Sequence, residues 1–414
     1  MIAEIIAVGS EMLTPSRQDT NSLFLTSRLN ELGISVAFKT VVGDNREHLA
    51  SVARAAIGRS DISIFMGGLG PTEDDLTREA VADALGVELK RDHEIVTAMY
   101  KRFAERRLQM PDNNARQGDV LRGAIVLPNS RGTAPGQWLE QELDGKRRIV
   151  MLLPGPPHEL ESMWVKQCMP RLREVAPPAA MATRVLKTAM LPESAADART
   201  SPIYKKHPEV ETTVLSGQGQ VEFHLRATAA TQEEAQAAVD RLAGELEDEL
   251  GDAVFSSAGE SLEEIVGYYL QMRNAKLAVA ESCTGGMVAG RITSVAGSSR
   301  YFLGGAVVYS TDLKTLFADI PPLMLEAHGA VSKEVALALA ENIRDICNAD
   351  IGVGVTGVAG PGGGTEEKPV GLVYVAVTDG RKQEVVQRRF PGDRERIRRW
   401  ASQQALDLVR RMLM

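Results

Sequence analysis

The feature that most limits the fold of this chain is a repeated one. A short apolar run stops at glycine or a small hydroxyl residue, and a helix-patterned stretch follows. IIAVGS (5–10), DISIFMGG (61–68), KLAVAES (276–282) and ADIGVGVTGVAGPGG (349–363) all end in this way. Such strand–helix alternation predicts α/β units with largely parallel sheets. In these sheets ligands sit beyond the carboxyl ends of the strands, where those glycines fall.

At 414 residues the chain is long enough for two or three domains. The first α/β block, 1–170, has predicted helices at 20–33 and 46–59 and strands at 34–42, 124–130 and 148–157, the last two buried. Pro170, Pro177 and Pro178 mark its end. A small α+β block, 171–250, follows: a strand in TRVLKTAML, a hairpin in VETTVLSGQGQVEFHLRATA and an amphipathic helix in TQEEAQAAVDRLAGELEDEL. It holds no compact set of reactive side chains and reads as a linking module. The last block, 251–414, is a second, independent α/β unit. Its YFLGGAVVYS (301–310) is apolar on both faces and is predicted to be a central strand. GLVYVAVTDG and KQEVVQRRF form an antiparallel pair around Asp379-Gly380.

A net charge of -8 gives no reason to expect nucleic acid as a partner, since phosphate contacts need clustered Lys or Arg. The three cysteines, Cys168, Cys283 and Cys347, are odd in number and widely spaced, which fits a reducing compartment. The first residues, MIAEIIAVGSEM, read as a strand and not as a basic leader, and no apolar run approaches the roughly 20 residues that span a bilayer. The expected location is cytoplasmic, with no membrane partner.

Within the first block, GGLGPTEDDLT (67–77) combines backbone access with acid. Gly67, Gly68 and Gly70 let amides approach a ligand, and Thr72 with Asp75 is predicted to cap a helix starting near Glu73. Phosphate favours helix N-termini. Asp74 and Asp75 would repel a bare anion, but they suit a divalent cation held between carboxylate and phosphate. Asp44, Asp19 and Asn21 are further candidates for the same crevice. This block alone points to a phosphate-bearing ligand with metal, or to a capped helix with two exposed acids.

In the last block, Ser282, Cys283 and Thr284 follow a strand and precede Gly285 and Gly286. Ser298 and Ser299 precede YFLGGAVVYS, Tyr309 and Ser310 close it, Lys314 follows, and Thr356 ends another strand. His328 is the only histidine of this block, so a Ser–His–acid triad is a poor explanation. A serine activated by a lysine of lowered pKa, with Tyr or Ser relaying the proton, supplies amide hydrolysis without histidine or metal. Amides at the Gly-rich helix start would stabilise the oxyanion. Helix caps, a core tyrosine and a solvated lysine are the competing description. Cys283 lacks a histidine partner, and packing is its expected role.

AVGSEML, DTNS, GGLGPTEDDLT, NNARQ (113–117), LLPGPPHE (152–159), VLKTAMLPES, AESCTGG, GSSRYFLGGAVVYS, VTGVAGPGGG and PVGLVYVAV occur in one order. With these motifs the chain resembles the full-length competence/damage-inducible CinA family over nearly all its residues. The resemblance implies a molybdopterin-cofactor-biosynthesis-like α/β sandwich (1–170) with metal-dependent ADP-ribose pyrophosphatase activity. It implies a KH-like linking domain (171–250) and a C-terminal nicotinamide mononucleotide (NMN) deamidase domain (251–414). The deamidase would need no cofactor; the pyrophosphatase would use Mg, Mn or Co. Ser299 is favoured as nucleophile, with Tyr309 and Lys314 activating it; Ser282 competes for that role. Ser282 and Thr356 would place the amide, Arg396 would hold the substrate phosphate, and Gly360, with Thr284, Gly285 and Gly286, would line the site. In the first domain Asp74, Asp75 and Asp44 would hold metal, Asn114 and Gln117 read the nucleotide, and Gly155 and Pro156 wall the pocket. NMN and ADP-ribose are the implied small-molecule partners, in a homodimer. The middle block lacks the GxxG loop of nucleic-acid-binding KH modules. A nucleotide-binding competence or DNA-repair adaptor with non-catalytic sites is the alternative.

Overall fold

The computed structural model describes residues 1–176, 179–217 and 219–414. The chain divides into two compact units, 1–181 with 228–235, and 182–227 with 236–414. Pro177 and Pro178 lie outside the described residues. Pro170 lies inside the continuous helical run 157–175, directly after the π turn Trp164–Cys168, and marks no break.

In the first unit, strands β1 (Ile2–Val8), β2 (Ser35–Val42) and β3 (Ile62–Met66) precede a short antiparallel pair, β4 (Leu89–Arg91) and β5 (Asp119–Leu121). Strands β6 (Ile125–Leu127), β7 (Gly136–Leu143) and β8 (Lys146–Leu153) follow. The main sheet has the order β2-β1-β3-β8-β7-β6. β2, β1, β3 and β8 are parallel, β7 pairs antiparallel with β8, and β6 pairs antiparallel with β7. Every residue of β3 is buried, as expected for a strand covered on both faces. β6 ends the sheet with Ile125 exposed, because only one of its edges is paired. The predicted helix at 46–59 is found as Arg46–Arg59, with the Asn45 side chain accepting from the His48 amide at its start.

In the second unit, a four-stranded sheet combines β9 (Ala180–Ala189), β10 (Val210–Gly217), β11 (Gln220–Ala229) and β12 (Val254–Ser256) in the order β10-β11-β9-β12. The predicted hairpin is β10–β11, antiparallel from Val210↔Ala227 to Gly217↔Gln220. A five-stranded sheet then holds β13 (Leu277–Glu281), β14 (Phe302–Val307), β15 (Ile351–Gly357), β16 (Leu372–Thr378) and β17 (Gln383–Arg389) in the order β14-β13-β15-β16-β17. β14, β13 and β15 are parallel; β16 pairs antiparallel with β15, and β17 antiparallel with β16. The central strand is β15, and β14, predicted to be central, is an edge. Its Leu303 and Val307 side chains are exposed, so apolar residues on both faces of a strand did not mean burial of both. Among the described residues no helix is long and apolar enough to cross a membrane.

Candidate functional site

β13 delivers the AESCTGG segment to the carboxyl end of the second unit's main sheet. The Ser282 amide still donates to the Val355 carbonyl of β15 at 2.9 Å, and the Val308 amide donates to Glu281 at 2.8 Å. The chain then turns sharply. Gly286 has φ +89°, a conformation that disfavours side chains, and opens the helix Met287–Thr293. Glu281 is fully buried and fixes this turn. Its carboxylate accepts from the amides of Gly286 and Val288 at 3.0 Å and of Ala289 at 2.8 Å. Those amides were the expected oxyanion donors, and an internal carboxylate occupies them. The amides of Cys283 and Thr284 have no acceptor among the described residues.

Lys314 enters the same place from the helix Thr311–Ala318, which Ser310 caps by accepting from the Leu313 amide. Its side chain is 2 % exposed. Nζ donates to Ser282 Oγ at 3.1 Å and to the Val308 carbonyl at 2.9 Å. No carboxylate pairs with it among the described residues. Burial therefore pushes its pKa below the ordinary lysine range, with the Cys283 sulfur opposing the shift. Burial also pushes the Cys283 thiol up to about 12, so Cys283 stays protonated and packs in the core.

The structure separates residues that the sequence grouped. Ser299 lies exposed in the short turn Ser298–Arg300 that leads into β14, whereas Lys314 follows the other end of that strand. Six strand residues intervene, about 20 Å of extended chain. Within one chain Ser299 is therefore not brought to Lys314, and Ser282 is. Tyr309 is 54 % exposed and its hydroxyl bonds to Arg394, not to Lys314. Thr356 is buried beside Ser282, but its hydroxyl donates to the Ala330 carbonyl at 2.7 Å. Arg396 is exposed and lines a different cavity of 550 Å³ with Pro192, Gly217, Gly219, Arg399 and Trp400, because alternate positions of a helix point to different sides.

The arginines that do reach the site are Arg394 and Arg398, one turn apart on the final helix (Arg394–Leu413). Arg398 donates to the Thr284 carbonyl from Nε at 3.1 Å and from Nη2 at 2.7 Å. Arg394 donates to the Gly360 carbonyl at 2.7 Å and to the Tyr309 hydroxyl. The sequence did not single them out, since Arg388, Arg389, Arg394, Arg396, Arg398 and Arg399 crowd one segment. Spacing by four residues on one helix face was the available signal.

In the first unit a cavity of 640 Å³ opens at the carboxyl ends of β1, β3 and β8. Gly67, Gly68, Gly70, Thr72, Asp74, Asp75, Asp44, Asp19, Asn21, Gln117, Gly155 and Pro156 all line it. Asn114 does not; it lies buried behind Gln117, with Nδ2 donating to Gln117 Oε1 at 3.4 Å. The helix starts at Thr77 with Leu76 before it, so the predicted cap at Thr72 is absent. Thr72 and Asp75 bond to each other within the loop instead, the Thr72 amide donating to Asp75 Oδ2 at 2.9 Å. The loop is tied back to the sheet: Thr77 Oγ1 donates to the Gly67 carbonyl at 2.8 Å, and buried Arg78 donates to the carbonyls of Leu69 at 2.8 Å and Gly70 at 3.0 Å.

Asp44 accepts from the Ser10 amide at 2.7 Å. Among the described residues no three His, Cys, Asp or Glu side chains are gathered closely enough to cage an ion. The predicted trio of Asp74, Asp75 and Asp44 is thus spread over the cavity wall. This arrangement fits an ion that takes one or two carboxylates and completes its shell with phosphate oxygens and water.

Three family models match the chain: a molybdopterin binding domain over residues 4–174, the KH domain of damage-inducible protein CinA over 183–256, and the CinA C-terminal domain over 259–413. A "CinA-like protein" from Koribacter versatilis is 65% identical over 413 residues, covering 100% of both chains. Another from Acidobacterium capsulatum is 56% identical over 414 residues, again covering 100% of both. A crystal structure of competence/damage inducible protein CihA from Agrobacterium tumefaciens is 34% identical, with a TM-score of 0.34, and covers 37% of this chain and 96% of that one. With full-length identity at that level and the three domain types in sequence, the chain belongs to the CinA family.

Proposed function

We propose that the second unit hydrolyses the carboxamide of NMN to nicotinate mononucleotide and ammonia, with Ser282 as nucleophile and Lys314 as its base. The observation that carries this reading is the buried Lys314 amine, 3.1 Å from Ser282 Oγ and without a carboxylate partner among the described residues. The family resemblance supplies the substrate class. Neutral Lys314 takes the Ser282 proton as Oγ attacks the amide carbon. The amides of Cys283 and Thr284, following the nucleophile in the turn, face the developing oxyanion. Protonated Lys314 then gives its proton to the departing nitrogen, releasing ammonia and leaving an ester on Ser282. Water, deprotonated by Lys314, cleaves that ester. The test is ammonia release from NMN by the purified full chain. Turnover that survives both Ser282→Ala and Lys314→Met would end this assignment.

A second activity is supported by the first unit's cavity, in which a glycine-rich loop and the carboxylates of Asp44, Asp74 and Asp75 face the same space. We propose that it takes ADP-ribose with Mg, Mn or Co and cleaves the pyrophosphate. Those carboxylates would hold the ion, which would supply charge neutralisation for the pyrophosphate. Loss of cleavage on chelation and in Asp75→Ala is the expected result. The resemblance also carries the proposal of a cytoplasmic homodimer. Saturable nucleotide binding without turnover at either site would favour the adaptor reading.

A further inference from the structure

Asp74 and Asp75 are neighbours in the chain and both line the first unit's cavity. Like charges side by side push apart, so keeping both at one site requires the backbone beneath them to be held. The first half of their loop is held by Arg78, through the Leu69 and Gly70 carbonyls. The second half is held from far away in sequence, by Arg116 in the segment Asp112–Gly118. Arg116 Nη1 donates to the Thr72 carbonyl at 2.7 Å, and Nη2 lies 3.5 Å from the Asp75 carbonyl. One planar fork thus spans both ends of the turn that carries the two acids. The fork is itself anchored, since Nη2 pairs at 2.9 Å with Glu79 on the helix that leaves the loop, and the two side chains are only 23% and 21% exposed. Within the turn, the Thr72 amide and hydroxyl both bond to Asp75 Oδ2, and Oδ1 has no donor among the described residues.

On charge alone an arginine is out of place here, because its guanidinium repels a divalent ion. Nor does it offer a contact to a ligand: Gln117, the next residue, lines the cavity and Arg116 does not. Its contribution is geometric. We infer that Arg116 is a positioning residue for the divalent-ion site, its fork holding the turn 72–75 so that Asp74 and Asp75 stay presented to the cavity. The inference rests on the reading of that cavity as a metal site, and not on the reaction catalysed there.

The experiment titrates the full chain with Mn(II) alone, without nucleotide, and follows the free ion by electron paramagnetic resonance. The site in question is the one lost in Asp75→Ala. Charge and positioning predict opposite signs for Arg116→Gln. Removing a nearby positive charge would by itself tighten Mn(II) binding, whereas releasing the turn should raise the dissociation constant by about tenfold. The control, Arg122→Gln, removes an exposed arginine paired with Glu88 at 3.5 Å and should match the wild type. Binding in folded Arg116→Gln that is as tight as in the wild type, or tighter, overturns the positioning role, as does an equal loss in Arg122→Gln. Thermal unfolding reports whether each variant is folded. Where Arg116→Gln is not, Arg116→Lys takes its place: it keeps the charge and loses the fork, so weaker binding supports the role and unchanged binding overturns it. If the wild type binds Mn(II) at this site yet leaves ADP-ribose intact, the pyrophosphatase reading fails and the same titration still decides the role of Arg116. A wild type with no Mn(II) site that Asp75→Ala removes overturns the metal reading and this inference together.

Discussion

Lys314 Nζ lies 3.1 Å from Ser282 Oγ and 2.9 Å from the Val308 carbonyl, inside the protein and with no carboxylate partner among the described residues. A protonated amine is poorly served there, because two neutral oxygens replace water around a full charge. The arrangement favours the neutral amine that a hydroxyl nucleophile needs.

The first prediction concerns which serine is acylated. Quenching the full chain during NMN turnover and mapping peptides by mass should place the nicotinoyl adduct on the peptide containing Ser282. Ser282→Ala should cut ammonia release at least about a thousandfold, the scale of losing a nucleophile. An adduct on Ser299 would contradict the single-chain geometry.

A second prediction follows from the sign of the Lys314 shift. Burial lowers its pKa in the folded protein below the ordinary value of 10.5, so between those two values the unfolded chain binds the proton that the folded chain has released. Burying Lys314 therefore costs stability below its folded pKa, and the cost fades as pH rises toward 10.5. In urea titrations, the stability of Lys314→Met minus that of wild type should shrink as pH climbs. Activity should rise with pH through the same ionisation. Lys314→Arg should be inactive throughout, since arginine does not deprotonate.

Glu281 supplies a third. Truncating it to Ala strips one buried amide, Val288, and two half-buried ones, Gly286 and Ala289, of their acceptor, and a fully buried donor left unpaired costs about 1–3 kcal/mol. Denaturant unfolding of Glu281→Ala should show a loss of several kcal/mol, with deamidase activity falling alongside. Glu281→Gln should lie between, as its amide group accepts at one end only.

Cys283 is the subject of a fourth. With its thiol pushed up to about 12 and its side chain 4% exposed, it should resist iodoacetamide at neutral pH in the native protein and react once unfolded. Cys283→Ala should keep kcat within about threefold while losing roughly 1 kcal/mol of stability to the vacated volume. A dead but folded Cys283→Ala would make the thiol a participant.

In the first unit, Gly68 has φ +64° and a side chain there would begin 2.2 Å from Thr77 Oγ1, the group that ties the loop to the Gly67 carbonyl. Gly68→Ala should destabilise the unit by about 1–3 kcal/mol and weaken ADP-ribose binding together, read by thermal unfolding and calorimetry. Tight binding in the variant would separate the loop from the ligand.

The sequence by itself determined the α/β character of both ends, the helix Arg46–Arg59, the β10–β11 and β16–β17 hairpins and the glycine turn after β13. Each rests on neighbours along the chain: periodicity, a turn dipeptide, or a strand breaking into glycine. Only the tertiary structure decided which distant groups meet. β14 could be recognised as a strand, but strand order made it an edge, and its parallel pairing with β13 brought the end that leads to Lys314, not the end that follows Ser299, beside Ser282. Likewise the four-residue spacing places Arg394 and Arg398 on one helix face, but only the folded neighbours decide that this face, and not that of Arg396, meets Thr284 and Gly360. Glu281 was visible as an acid beside a serine, but its partners are amides exposed by a turn whose geometry the folded sheet imposes. Local order follows from adjacent residues, whereas a site follows from contacts across the sheet that sequence spacing does not encode.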